Sequence, residues 1–188
     1  TWDEYLALGE KLKEKGHMLQ TYNPNDIAEF QIMLQSTGKW FTDNDGNADF
    51  TNNDSLKECY DVFKKLNESD FCQVVSDWTG FAGAINNGDV ACVMRGSWIT
   101  STIMGADDQS GKWKMAPIPK MSTDGATHYS NQGGSSWFVL KNSKNADAAA
   151  KFLADTFGGS TELYDSLMKS NNIIGTYLPA ADIEAVNT

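Results

Sequence analysis

The stretch NNGDVACVMRGSWITSTI, residues 86–103, decides how this chain reads. A turn at Asn86-Asn87-Gly88 leads into a short apolar run, Val90 to Met94. The run stops at Arg95-Gly96-Ser97, and Trp98 follows at once. A short apolar run bounded by turn residues predicts a buried strand. Ser97 can cap a helix running from Trp98 to about Met104. The largest side chain therefore stands in the first turn of a helix, at the mouth of a strand. An exposed indole there offers a flat apolar face and one N–H donor. Sugar rings have flat C–H faces and a rim of hydroxyls, which such an indole complements. The alternative is that Trp98 plugs the interface between helix and sheet.

Outward from this stretch, helical and extended patterns alternate. Thr1-Trp2-Asp3-Glu4 is a capping box, and Tyr5, Leu8 and Leu12 recur at helical spacing until Gly16. His17 to Tyr22 can form a strand, and Asn25 or Asp26 can cap a helix carrying Ile27, Phe30, Met33 and Leu34. Asn53 or Asp54 starts a helix whose apolar stripe is Leu56, Cys59, Tyr60, Phe63 and Leu66. Trp78 to Asn86 reads as a short helix, with Asp77-Trp78 as a cap or a ligand contact. Trp113 to Pro119 reads as extended, and its two prolines mark an edge or an exit. Trp137 to Leu140 reads as a strand. Asn145 caps a helix with Ala149, Phe152, Leu153 and Phe157 inward, Gly158-Gly159 ends it, and Ser160 or Thr161 begins another. About seven helices interleaved with four or five short strands predict one α/β domain over residues 1–188, with helices packed on a short central sheet. In such folds the loops at strand ends carry ligand sites.

Bulk properties exclude several function classes. The 188 residues are 40% hydrophobic and 21% charged, as in a globular chain. A net charge of -10 argues against nucleic acid and against anionic membrane surfaces. No apolar stretch approaches the roughly 20 residues that span a bilayer. Thr1 opens straight into a helix pattern, so location is not legible from a leader. Cys59, Cys72 and Cys92 match no zinc spacing and leave at least one thiol unpaired; Cys59 and Cys92 read as small packed hydrophobes.

Catalytic and metal templates fail on inspection. Aligning Gly46 of DNDGNADF with the sixth position of a calcium loop puts Phe41 and Asn52 where carboxylates are required. The segment is a turn. His17 and His128 are the two histidines, and neither has a second ligand at zinc spacing. There is no G-x-S-x-G elbow, and GGSSW lacks the lysine of a phosphate loop. No metal and no cofactor is expected. A pair of distant carboxylates for sugar cleavage stays open as a lesser alternative.

Several loop residues are candidate ligand contacts. Gly133-Gly134 lets the backbone approach a ligand closely or take positive φ, and Asn131 and Gln132 offer donors and acceptors for hydroxyls. A plain turn into a strand is the competing reading. Asn25 and Asp26 sit where a strand-to-helix turn can face the same cleft, unless they only cap.

TWDEYLALGEKLKEKG, FTDNDGNADFTNNDSLKECYDVFKKL, GFAGAINNGDVACVMRGSW, GKWKMAPIPK, GGSSWFVLKNSKNADAAAKFLADTF and YLPA occur in this order. Together they resemble the family 1 extracellular solute-binding proteins, sugar-binding components of ABC transporters that include maltose-binding protein. The resemblance implies a periplasmic-binding-protein-like (type II) lobe, from a receptor with two lobes and a ligand cleft between them. TWDE normally opens the second lobe. The chain is thus expected to be a C-terminal lobe, without the N-terminal lobe, leader or lipid-anchoring cysteine, and cut short after YLPA. The resemblance assigns Trp98 to sugar stacking and Gly133 and Gly134 to the loop lining the cleft. It places Asn25 and Asp26 in a turn that reaches ligand, and Tyr177 in a segment that often supplies an aromatic. Arg95, Asp77 and Trp78 are neighbours of cleft positions. The implied function is capture of an extracellular carbohydrate and delivery to permease subunits, without catalysis. The implied protein is a monomer, extracellular or periplasmic, and anchored as a lipoprotein at full length. A peptide or polyamine receptor is the alternative binding class.

Overall fold

The computed structural model describes residues 1–182. Among them lie seven α-helices: α1 (Trp2–Lys13), α2 (Ala28–Ser36), α3 (Asp54–Glu68), α4 (Trp78–Asn86), α5 (Thr100–Ile103), α6 (Ala146–Asp155) and α7 (Thr161–Asn171). Two strands are present, β1 (Gln20–Tyr22) and β2 (Cys72–Val74). The chain divides into two compact units. One comprises Thr1–Gly96 and Thr102–Gln132, the other Ser97–Ser101 and the chain from Gly133 onward.

The first unit is an α/β layer built around β1. Strands β1 and β2 run parallel, with Gln20 opposite Cys72 and Tyr22 opposite Val74. On the other edge of β1, Met18 bridges Val90 in parallel. There the Ala91 N–H donates to the Met18 carbonyl at 3.0 Å, and the Cys92 N–H to that of Leu19 at 2.7 Å. Parallel neighbours need crossovers, since a tight turn cannot join them. Helices α2 and α3 supply one crossover and α4 the next.

The apolar faces of these elements close a single core. Leu19, Met33, Leu34, Cys59, Leu66 and Phe71 are buried in it. Phe30 of α2 lies edge-on to Phe63 of α3, with ring centroids 5.6 Å apart, and is stacked on Phe41 at 5.9 Å. The α1 capping box forms as the sequence predicts, and Gly16 takes a φ of 78° beyond its end. Helix α1 seats closely on Phe71 because residue 9 has no side chain. A Cβ there would stand 2.5 Å from Phe71 Cδ2. Gly9→Ala should therefore destabilise the fold by about 1–3 kcal/mol through overpacking, despite alanine's better helix propensity. Urea denaturation checks this, and unchanged stability would contradict the packing described.

The second unit is anchored by Tyr164 of α7. This side chain is buried, and its hydroxyl donates to the Phe157 carbonyl at 2.8 Å. Gly175 lies under the ring, where a Cβ would fall 2.4 Å from Tyr164 Cδ1. Ser160 caps α7, its hydroxyl accepting from the Leu163 N–H at 3.1 Å. Trp137 stacks on Phe157 with centroids 4.9 Å apart.

The sheet is smaller than the sequence suggests. The run Val90–Met94 pairs only through its first residues, because the bonds on that edge of β1 stop at Leu19. Trp113–Pro119 forms no strand. Pro117 and Pro119 have no N–H to donate, and Ile118 pairs with His128 alone, its N–H donating to the His128 carbonyl at 3.2 Å and its carbonyl meeting His128 Nδ1 at 2.9 Å. Trp137–Leu140 forms none either. Trp137, Phe138 and Leu140 are 65%, 83% and 77% exposed. Two expected inward residues also face out: Tyr60 on α3, and Phe152 on α6, a helix with no buried residue. Ala149, Leu153 and Phe157 are partly covered, so the covered stripe of that segment is narrower than its apolar pattern.

Candidate functional site

In the first unit, the turn after β1 and the helix after β2 supply the candidates. Pro24 and Asn25 are exposed, and the Asn25 N–H donates to Asn23 Oδ1 at 3.0 Å. Asp26 does not stand at the cap position of α2, which is Ile27, but it is bonded on both sides. Its Oδ1 accepts the Ala28 N–H at 2.9 Å, and its Oδ2 accepts from Arg95 Nη2 at 3.0 Å. Arg95 is the sole arginine of the sequence. Its Nη1 donates to Glu29 Oε1 and to the Met94 carbonyl, the latter at 2.9 Å. Its guanidinium carbon lies 4.6 Å from the centre of the Phe81 ring, within cation–π range. Phe81 in turn stacks with Trp78 at 5.4 Å. Asp77 caps α4, its Oδ1 accepting from the Gly80 N–H at 2.9 Å.

This cluster is graded in exposure. The side chains of Arg95 and Glu29 are 4% and 10% exposed, that of Asp26 39%. Trp78 is 53% exposed. Burial raises the Glu29 carboxyl above the ordinary value near 4.5, and the Arg95 guanidinium offsets this only in part. A folded-state acid with a raised pKa contributes stability that is full below its unfolded value and lost as pH rises through the folded one. Glu29→Gln removes that loss. Its stability relative to the unsubstituted chain should therefore climb as pH is raised from about 4.5 upward. Thermal unfolding across a pH series would show it, and a difference independent of pH would overturn this view of Glu29.

In the second unit, Trp98 lies in a 3-10 turn, Ser97–Ile99, just ahead of α5. Ile99 is buried and Trp98 partly buried, so the indole is neither bare nor enclosed. The Ser101 hydroxyl donates to the Trp98 carbonyl at 2.9 Å. Gly133 takes a φ of 123°, and a Cβ there would lie 3.3 Å from Trp98 Nε1 and 3.4 Å from Cδ1. Glycine thus lets the backbone close against the pyrrole edge of the indole. Gly134 also has positive φ, with open space where a Cβ would be. Tyr177 is stacked on Tyr164 at 6.3 Å.

The structure therefore joins Trp98 to Gly133, and joins Asp26 to Trp78 through Arg95 and Phe81. Glu29 and Phe81 were missed by the sequence reading. A signal was available for Glu29, since it lies one turn before Ile32 and Met33 on a buried helix face and so needs a cationic partner. Gln132 is used within the protein, its Oε1 accepting the Gly96 N–H at 3.0 Å. A concavity of about 480 Å³ lies elsewhere in the first unit, lined by residues including Tyr5, Pro117, His128 and Tyr129. It shares no residue with the candidates. The Asp26–Trp78 cluster of the first unit combines a half-exposed carboxylate with an exposed aromatic ring, and the Trp98–Gly133 contact of the second offers a partly exposed indole.

Other chemistry finds little footing. All three cysteines are free thiols, and burial holds them up, Cys59 to about 12. Among the described residues no three His, Cys, Asp or Glu side chains are grouped to hold a metal. The DNDGNADF segment is a turn in which Asp43 Oδ1 accepts the N–H groups of Asp45 and Asn47. No described helix is long and apolar enough to cross a membrane.

Comparison with known proteins gives a consistent result. A family model described as bacterial extracellular solute-binding protein matches residues 1–185. A lactose-binding protein of Rhizobium radiobacter is 36% identical over 186 residues, covering 98% of this chain and 44% of that protein. An arabinooligosaccharide-binding protein of Bacillus subtilis (strain 168) is 25% identical over 175 residues, covering 89% of this chain and 40% of that protein. The chain thus spans less than half the length of these curated relatives. Among solved structures, the maltose/maltodextrin-binding domain MalE from Bdellovibrio bacteriovorus, bound to maltotriose, aligns with a TM-score of 0.63. That match is 20% identical and covers 98% of this chain and 50% of the other. It shows a shared fold, the type II periplasmic-binding architecture.

Proposed function

We propose, for a chain that belongs to the bacterial extracellular solute-binding protein family, that it is the C-terminal lobe of a carbohydrate receptor serving an ABC transporter. The receptor captures a mono- or oligosaccharide outside the cell and passes it to permease subunits. It acts by binding, without catalysis, as a monomer that a lipid anchor holds at the membrane in the full-length protein. The relatives named for lactose and for arabinooligosaccharide support a sugar ligand.

The observation that carries this reading is the partly exposed Trp98 indole with its edge against Gly133. A fixed aromatic plane at a loop suits the flat face of a sugar ring. Further proposed contacts are Asn25, Asp26, Asp77 and Trp78 in the first unit and, separately, Gly134 and Tyr177 in the second. Phe138, Leu140 and Phe152 are exposed large apolar side chains, which a docking second lobe would cover. The ligand's higher affinity for the closed than for the open arrangement of two lobes would drive the closing movement.

One lobe makes only part of the contacts. The 188-residue chain alone should therefore bind lactose weakly, and submicromolar affinity measured by calorimetry would contradict the two-lobe account. The identity of the ligand is tested by thermal shift of the full-length protein against a panel of sugars, peptides and polyamines. Stabilisation by sugars is expected. Stabilisation by polyamines alone would favour the second reading, for which Asp77 beside the exposed Trp78 is the observation. Product analysis after long incubation with oligosaccharides checks the absence of cleavage.

A further inference from the structure

Asp26 is a carboxylate held at both oxygens. Oδ1 is fixed by the Ala28 N–H and Oδ2 by Arg95 Nη2. An ionised carboxylate has about four acceptor positions, so roughly two remain on Asp26. With 39% of its side chain exposed, Asp26 can reach a ligand. Arg95 cannot. Its side chain is 4% exposed, and its terminal nitrogens are engaged by Asp26, Glu29 and the Met94 carbonyl. The Phe81 ring lies against the guanidinium.

We propose that Arg95 is a positioning residue that locks the Asp26 carboxylate as a rigid acceptor for two hydroxyls of a neutral polyol, such as a vicinal diol of the sugar. The inference rests on the sugar-receptor reading above and deepens it. Locking matters because a carboxylate already frozen in place loses no rotamer freedom on binding. The pairing also bears on the ligand class. Asp26 shares one buried guanidinium with Glu29, so its charge is offset in part while its acceptor geometry for hydroxyl donors is kept. Glu29 holds the far side of the fork, so that Arg95 stays aimed at Asp26.

The test uses the full-length protein and lactose, with affinity by calorimetry and folding by thermal unfolding. Asp26→Asn should weaken lactose binding by about tenfold to a hundredfold, the scale of a lost charge-assisted hydrogen bond. Arg95→Met should weaken it by a comparable factor without removing any ligand contact. The double variant should bind no more weakly than the weaker single one, because Arg95 acts only through Asp26. Arg95→Lys keeps the charge but not the fork, and should fall between wild type and Arg95→Met. If Arg95→Met does not fold, Arg95→Lys carries the comparison with Asp26→Asn in its place. Losses that multiply in the double variant would overturn the proposal, as would lactose affinity unchanged in both Arg95 variants. Binding that persists unchanged in Asp26→Asn would overturn it while leaving the receptor reading intact. Failure of the unsubstituted protein to bind any sugar of the panel would overturn both.

Discussion

Arg95→Met should cost this protein about 3 kcal/mol or more of stability at neutral pH, which is large beside a total of about 5–15 kcal/mol for a domain. The cause is Glu29 rather than the lost side chain. Methionine fills much of the arginine's space and retains contact with Phe81. It leaves Glu29, 10% exposed, without a counter-charge. Breaking one partner of a buried pair is far more damaging than replacing both, because the survivor must stay charged in a poor environment or take up a proton. Two further results follow from that mechanism. The penalty should shrink as pH falls towards the ordinary glutamate range, where Glu29 is neutralised anyway. It should also shrink in the double variant Arg95→Met with Glu29→Gln. Urea denaturation at pH 7 and pH 5 measures both. A penalty that is the same at the two pH values and in the double variant would mean that the ion pair is not its source.

The parts of the fold legible in the sequence are those fixed by local rules. The α1 capping box, the Asn53 start of α3 and the Asp77 cap of α4 each depend on residues a few positions apart. The buried stripe Cys59, Leu66 and the partly buried Phe63 follows from helical period alone. Strands were less legible, because a strand exists only where another segment pairs with it. Trp137–Leu140 has the composition of a strand and no ladder among the described residues. Phe152 and Tyr60 fit apolar stripes by spacing, yet they are 61% and 58% exposed.

The site shows the same division. Trp98 beside a glycine break was legible as an odd placement, and the close approach of Gly133 gives it a physical setting. The bond between Asp26 and Arg95 joins residues 69 positions apart, so no local pattern announces it. Its one trace is compositional, a single arginine in a chain that otherwise uses lysine for positive charge. Arginine rather than lysine is what a buried fork between two carboxylates requires.

The second large effect is on binding. Trp98→Ala in the full-length protein should weaken affinity for whichever sugar of the panel stabilises it by roughly thirtyfold, about 2 kcal/mol. Removal of the indole takes away the stacking plane and its N–H together. Ile99, the buried residue of that turn, and the Ser101 hydroxyl bond to the residue 98 carbonyl are untouched by the change, so the turn itself should survive. Trp98→Phe keeps a smaller plane and should recover part of the affinity. An unaltered affinity in Trp98→Ala would remove the indole from the site.

The account reduces to whether a sugar meets the ring of Trp98. The six tryptophans give separable indole N–H signals in a proton–nitrogen spectrum, and Trp98→Phe identifies the signal of residue 98. Titration of the 188-residue chain to high millimolar concentration with the sugar that stabilises the full-length protein should move the Trp98 signal progressively, leaving the tryptophans outside the proposed site in place. A Trp98 signal that stays still while the sugar shifts other residues, or a spectrum that does not respond at all, would contradict the claim that this chain carries part of a carbohydrate site.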